Sequence, residues 1–438
     1  MGRTRKWCGP SAFPASMICK VSLQMVEVRT VRSWFRANIG GLPGTFWYLW
    51  TGLLINKVGG FGIIFLSLYL VKERGLDVSG AGLVVGMYGV GGCAGVLTGG
   101  VLADRWGRRR TLIASHLGST LFLLGLAFAP WVPVIAVLTL LVGSAQSMVG
   151  PPLIAAMVDV LPETDRTRAF SLEFWAINVG TTVAAPLAGL LADAGFTPLF
   201  LVEAAATFGT LMILAVKVPE TLATRPDPRS GLGTVLTDRP WMTFVGLTMV
   251  LGVLTSMTMT ILPLAMARDH LRPSAYGLVM GCAGLMIVAG QLFVPRMITG
   301  RRDARVLGLT NGLVAAGITL FAVCDAIPAY LGATAVLTLG QMLGAPANAT
   351  TISDLSTAPL RARYQAVFYL SFPLAGFVAP ALGGWSLQRL GDRTWVICGM
   401  LGGLAALGHL LAEPARERRR AALRERPRER AHSLDPCG

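Results

Sequence analysis

Apolar residues fill this chain in runs long enough to cross a bilayer, and polar residues collect in the short stretches between them. A helix rises ~1.5 Å per residue, so about 20 mostly apolar residues cover ~30 Å of hydrocarbon. Windows of that length predict twelve helical segments, near 45–71, 82–103, 111–129, 133–158, 170–192, 198–218, 241–266, 275–298, 305–324, 329–353, 365–388 and 394–412. The expected fold class is therefore an all-α polytopic membrane protein. Composition adds weight: with 53% hydrophobic and 14% charged residues, a soluble domain would have to expose a very large apolar surface.

Charge orients the segments. With the N-terminus inside, the cytoplasmic connections and termini carry 31 of the 38 Lys and Arg residues, against six in the outer connections and the intramembrane Lys57. That asymmetry is the positive-inside pattern, so both termini are expected in the cytoplasm and the protein in the cell membrane. The net charge of +15 then reflects topology and attraction to anionic lipid, and no nucleic-acid partner is expected. Residues 413–438 mix Arg with Glu and read as a solvated tail, disordered or partly helical. Residues 1–43 form a basic extension without the pattern of a cleavable signal peptide. Seven scattered cysteines give neither a disulfide framework nor a zinc spacing, and no metal or cofactor is expected.

An internal repeat divides the chain. Asp159, Arg166 and Arg168 recur at an offset of 195 residues as Asp354, Arg361 and Arg363, and Ala185-Pro186-Leu-Ala-Gly189 is echoed by Ala379-Pro380-Ala-Leu-Gly383. Gly300-Arg301-Arg302 after segment 8 echoes Gly107-Arg108-Arg109 after segment 2. Two six-helix pseudo-repeats follow, 44–218 and 241–412, joined by a cytoplasmic linker at 219–240. Parallel repeats of this kind build a substrate path at their interface.

The connection Gly100-Val-Leu-Ala-Asp104-Arg105-Trp-Gly107-Arg108-Arg109-Arg110 between segments 2 and 3 resembles, at nearly every position, the loop signature of the major facilitator superfamily. Trp50 to Gly60 and Gly82 to Gly86 are similar to bacterial members grouped with drug-efflux transporters. The resemblance implies alternating access around a central cavity, normally driven by a proton gradient, with a small molecule as substrate and protons as coupling ion. A monomer in the bilayer is the expected assembly.

The physical reading stands beside it. Gly100 and Gly107 allow close backbone approach. Asp104 can accept from Arg108, from Arg166 or Arg168, or from the amide end of segment 11 next to Arg361 and Arg363, and such a contact would latch the halves on the cytoplasmic side. If Asp104, Arg105, Arg108 and Arg109 only fixed topology, no acid would be needed. In segment 5, Asn178-Val-Gly180-Thr-Thr-Val-Ala-Ala185-Pro186-Leu-Ala-Gly189 resembles the family's glycine-rich antiporter motif, with Ala and Thr at several Gly positions. The segment is expected to bend at Pro186 and pack closely through Gly180, Ala185 and Gly189.

The arginine commonly embedded in helix 4 of proton-driven exporters is absent, since no Arg or Lys occurs between Thr111 and Asp165. Lys57 in segment 1 is the ionisable residue at mid-bilayer depth. An ammonium there costs ~3 kcal/mol or more and would face a cavity or a partner. It could exchange protons, hold an acidic substrate, or pair with Glu173 or Glu203. Glu173 is read as a residue of the first turn of segment 5, capping it near Arg166 and Arg168. Glu203, near the outer end of segment 6, is a candidate vestibule acid. The amides of Asn56, Gln146, Asn178, Asn311, Gln341 and Asn348 would either bond between helices or line the cavity. His116 and His409 lack ligand-like companions and are expected to pack or bond locally.

The function expected is secondary active transport, most simply proton-coupled efflux of amphipathic or drug-like molecules. Uptake of a nutrient or acidic metabolite is the alternative that Lys57 favours. Phosphate-cradling loops, metal-ligand clusters and a nucleophile with its base are missing, so no enzyme is expected.

Overall fold

The computed structural model describes residues 40–60, 62–221, 233–290, 293–294, 301–356 and 361–421. Most of the basic extension, the centre of the linker, Gly300, the end of the tail and the side chain of Arg361 lie outside the described residues. Among the described residues there are twelve helices long and apolar enough to cross a membrane: Gly44–Lys72, Val78–Trp106, Arg108–Phe128, Val132–Asp159, Thr164–Ala194, Thr197–Lys217, Arg239–Thr260, Pro273–Gly290, Asp303–Val323, Ile327–Leu355, Arg363–Leu390 and Arg393–Ala421. They are called spans 1 to 12 below. The protein is a multi-pass, all-α membrane protein of two six-helix pseudo-repeats.

Local chemistry sets the breaks. Asp77 caps span 2 by accepting from the Gly80 amide at 3.2 Å, and Asp238 caps span 7 by accepting from Trp241 N at 3.4 Å. Spans 2 and 3 are parted by one residue, Gly107, whose φ of 104° is open to glycine and strained for any other residue. Span 1 is two pieces, Gly44–Gly59 and Gly62–Lys72. Span 4 is interrupted after Ser147 and resumes at Gly150 with prolines in its first turn, which need no amide donor there. Leucine and phenylalanine side chains such as Leu97, Leu121, Phe128, Leu190 and Leu404 stay exposed around the bundle, as lipid-facing positions should.

Span 5 begins at Glu163, about seven residues before the predicted start, because Pro162 ends the preceding turn and Glu163 and Asp165 suit a helix N-terminus. Glu173 therefore sits nearly three turns into the helix and is not in its first turn, which corrects the capping reading.

The buried core is laid out unevenly along the bundle. One large cluster draws on both halves, from Phe65, Tyr69, Val84 and Phe200 to Met257, Tyr276, Phe321 and Trp395. These residues lie toward the end away from the arginine-rich connections. At the arginine-rich end two clusters are separate. One is built from the first half, with Phe46, Leu49, Leu153 and Leu214, and the other from the second, with Trp241, Phe244, Leu343 and Tyr364.

The tail departs from a simple solvated chain, because span 12 runs on to Ala421 and docks. Arg416 is 2% exposed, with Nη2 at 2.9 Å from His409 Nδ1. Arg419 pairs with Asp238 at 2.9 Å, and Arg420 pairs with Asp303 at 2.6 Å and Asp354 at 3.2 Å. Buried and half-buried carboxylates at the ends of spans 7, 9 and 10 draw Arg419 and Arg420 down, since charge-assisted bonds are about twice as strong as neutral ones. Arg420→Ala is expected to cost on the order of 1–3 kcal/mol, lowering the thermal midpoint of the detergent-solubilised protein by a few degrees. Combining it with Asp303→Ala should cost less than the two singles added; full additivity would show that the pair does not couple.

Candidate functional site

Three places hold the polar chemistry: a cluster inside the first half, the arginine-rich connection, and the seam between halves.

Inside the first half, Glu203 is buried at 4% exposure. Its Oε1 accepts from Gln146 Nε2 at 2.8 Å, and Gln146 Oε1 accepts from Tyr88 OH at 2.8 Å. Its Oε2 accepts from the Gly62 amide at 2.5 Å, at the start of the second piece of span 1. One carboxylate thus joins spans 1, 4 and 6, with span 2 attached through Tyr88. Asn56 donates to Thr207 Oγ1 at 3.4 Å, a second link between spans 1 and 6. Gln146 bonds between helices, one of the two roles open to it in the sequence.

Lys57 lies one turn before the break in span 1. Among the described residues it has no carboxylate within 4.0 Å, yet the charges of Glu173 and Glu203 both act on it. Gly180 of span 5 brings that helix against it: a Cβ at 180 would fall 2.5 Å from Lys57 Cβ. Glu173 also lies within electrostatic reach of Tyr369 on span 11. Asn178 spends its amide on its own helix, donating to Phe174 O at 2.8 Å. Elsewhere Gln341 donates to Thr255 Oγ1 at 3.3 Å, and Asn311 to Leu307 O at 3.0 Å within its own helix.

At the arginine-rich end, Asp104 accepts from Arg108 at 2.6 Å, and Arg108 reaches Asp159 at 3.5 Å. Glu220, after span 6, accepts from the backbone amide of Arg108 at 2.8 Å, capping span 3. A Cβ at Gly107 would strike that same Glu220 carboxylate. Arg109 donates to Ala215 O at 2.5 Å. These partners of Asp104, Arg108 and Arg109 belong to the first half, apart from Glu220 at the start of the linker. Arg105 lies in the last turn of span 2 and Gly100 has open space where a Cβ would go. Arg168 pairs with Asp165 at 3.7 Å and donates to Gly40 O at 2.5 Å.

The seam is built by the repeated Ala-Pro-x-x-Gly segments. Ala185, Pro186 and Gly189 of span 5 pack on span 8, where a Cβ at Gly277 would fall 2.6 Å from Ala185 O and one at Gly281 2.5 Å from the Pro186 ring. Span 11 does the same to span 2: Gly82 lies against Pro380 and Gly384, and Gly89 against Pro373, Gly376 and Phe377. Among the described residues, three hydrogen bonds cross between halves here, Ser67 to Thr260 O at 2.7 Å, Ser79 N to Gln388 at 2.8 Å and Ser274 N to Asp193 at 3.3 Å.

Sequence reasoning singled out Gly180, Pro186, Gln146, Lys57 and Glu203 but missed Tyr88, Glu220 and Tyr369. A tyrosine inside an apolar run and an acid beyond a helix end carry no motif. The glycines at 82, 86, 89 and 92, spaced three or four apart, were a usable signal for a helix contact.

A family model described as Major Facilitator Superfamily matches residues 49–260 and 244–435. The multidrug resistance protein MdtH of Aeromonas hydrophila is 26% identical over 371 residues, 81% of this chain and 92% of that protein. A Na(+), Li(+), K(+)/H(+) antiporter of Planococcus maritimus is 22% identical over 354 residues, 72% and 83% of the two chains. Among solved structures, a POT family transporter in complex with a thioalcohol-conjugated peptide shares the fold with a TM-score of 0.74 at 12% identity, covering 86% of this chain and 97% of the other. Matched through both of its halves, this chain belongs to the major facilitator superfamily.

Proposed function

We propose that the chain is a proton-coupled exporter of small amphipathic molecules in the cell membrane, working by alternating access, with its arginine-rich side in the cytoplasm. The observation that carries this reading is the uneven core: the halves share one buried cluster at one end and keep separate clusters at the other. With the positive-inside orientation, that is a carrier sealed outside and parted inside. Rocking about the seam would close the cytoplasmic end, where Asp104 and its arginines would meet the N-terminus of span 11. In the present state Asp104 is held by Arg108 within its own half. A buried carboxylate and a lysine in the first half supply groups able to bind protons inside the membrane. The relatives named as a multidrug resistance protein and a cation/proton antiporter favour efflux in exchange for protons.

Lys57 supports a second reading, uptake of an anionic metabolite. Transport of ethidium and of a labelled organic acid into inside-out vesicles, with and without an imposed pH gradient, separates the two. Ethidium accumulation that collapses with the gradient supports export; movement of the acid alone supports uptake. Asp104→Asn is expected to slow turnover about tenfold, the scale of one charge-assisted contact, with substrate binding nearly unchanged. Lost binding in a correctly inserted protein would reject the latch.

A further inference from the structure

Among the partners of Glu203 are two of different kind, a side-chain amide and a backbone amide. We propose that the Gln146 side-chain amide turns over to keep Glu203 satisfied both ionised and protonated, and that the Gly62 amide passes the change to the break in span 1. The proposal rests on the proton-coupled reading above and names the groups that would carry it.

The observed arrangement fits an ionised carboxylate, because each of its oxygens meets a donor: the Gln146 NH₂ on Oε1 and the Gly62 N–H on Oε2. Tyr88 completes the set by donating to the other end of the Gln146 amide. A carboxylic acid cannot keep the Gln146 bond as it stands, since its O–H needs an acceptor. Turning the amide by 180° supplies one: the acid donates to Gln146 Oε1, and the NH₂ donates to the Tyr88 oxygen, whose hydroxyl hydrogen rotates away. Glutamine next to tyrosine can answer Glu203 in both states, because an amide offers both a donor and an acceptor and a phenol can be either. An arginine at 146 would serve only the ionised state.

The Gly62 amide has no such alternative. It opens the 11-residue helix Gly62–Lys72, where an N–H has no acceptor within the helix and is best met by a negative charge. Protonation on Oε1 leaves Oε2 as a neutral carbonyl acceptor, so the Gly62 bond loses its charge assistance and the second piece of span 1 is held less firmly at its N-terminus. This piece carries Ser67, which bonds to Thr260 across the seam. The step is a simple proton transfer, hydronium to carboxylate on one side of the membrane and carboxylic acid to water on the other. The titratable groups on the elements packed around Glu203 include Lys57 and Tyr69 on span 1, Tyr88 and Cys93 on span 2, His116 on span 3 and Glu173 on span 5. The charge of Glu203 acts on Lys57 and on Tyr88, and His116 Nδ1 is engaged by Leu112 O.

The test combines hydrogen exchange with transport in the full-length protein. Amides of residues 62–66 in the wild type are expected to exchange about threefold or more faster at acid pH, after correction for intrinsic rates. Glu203→Gln should show the fast rate at every pH. Gln146→Leu and Tyr88→Phe, which keep the carboxylate, should move the midpoint of that pH profile by about half a unit or more. In vesicles Glu203→Gln should lose gradient-driven ethidium accumulation about tenfold or more while retaining ethidium exchange within about twofold. Exchange at 62–66 that ignores pH or Glu203→Gln overturns the proposal, and so does an unmoved midpoint in both network variants. If the wild type shows the profile but ethidium transport ignores the gradient, the switch stands and the export reading falls.

Discussion

Gly89→Val is expected to insert and fold yet fail to close the end of the protein remote from its arginine-rich connections. A Cβ at position 89 falls on the backbone of Pro373, Gly376 and Phe377 in span 11, and backbone cannot move aside as a side-chain tip can. Span 2 meets span 11 through Gly82, Gly86 and Gly92 as well, so the whole contact would be pushed apart. Overpacking of this kind costs about 1–3 kcal/mol, which corresponds to about 5- to 150-fold in the balance between closed and parted seams. Because the clash exists only where the halves touch, the cost lies on this conformation and not on either half alone. Ser67 reports the outcome. It is 0% exposed and bonded across the seam, so Ser67→Cys, in a background without the native cysteines, should be inert to an impermeant maleimide. Adding Gly89→Val should make the introduced thiol reactive and reduce transport about tenfold or more. An unreactive thiol at position 67 in a transport-dead protein would mean that the seam stays closed, and the alternating use of this contact would be wrong.

The spans were legible because a bilayer enforces one pattern: about 20 apolar residues with every backbone bond satisfied inside the helix. The repeat was legible too, and its Ala-Pro-x-x-Gly segments proved to be the two halves of the seam. Helix ends were less so. Span 5 starts early because polar Glu163 and Asp165 can be helical outside the hydrocarbon, and hydropathy cannot see a helix there. The tail escaped for a related reason, since Arg419 and Arg420 look solvated until the carboxylates of Asp238, Asp303 and Asp354 are assembled from three other spans. The same holds for the Tyr88, Gln146 and Glu203 network. Each is an isolated polar residue in its own apolar run, and only the packing of spans 2, 4 and 6 makes a chain of them.

Lys57→Ala is expected to shift the charge preference of the central region further toward cations. The ammonium lies within reach of Glu173 and Glu203, so its removal changes the local charge from one net negative to two. At an effective dielectric constant of about 20, each charge pair separated by ~8 Å is worth about 2 kcal/mol. A monovalent anion at that distance should lose on the order of 30-fold in binding, and a cation such as ethidium should gain up to a similar factor. Turnover should fall even for the cation, because two carboxylates without their shared counter-charge resist ionising together. Tighter cation binding with slower transport is a pairing that simple misfolding cannot produce. Lys57→Arg separates charge from size: it keeps the cation, and it should preserve the binding preference even if packing against Gly180 suffers. Equilibrium binding of ethidium and of an organic acid, measured beside vesicle transport over a range of pH, decides the matter. Unchanged binding of both probes and unchanged transport at every pH in Lys57→Ala would make Lys57 a structural residue, and would leave the carboxylates of Glu203 and Glu173 as the charges that the first half sets against a substrate.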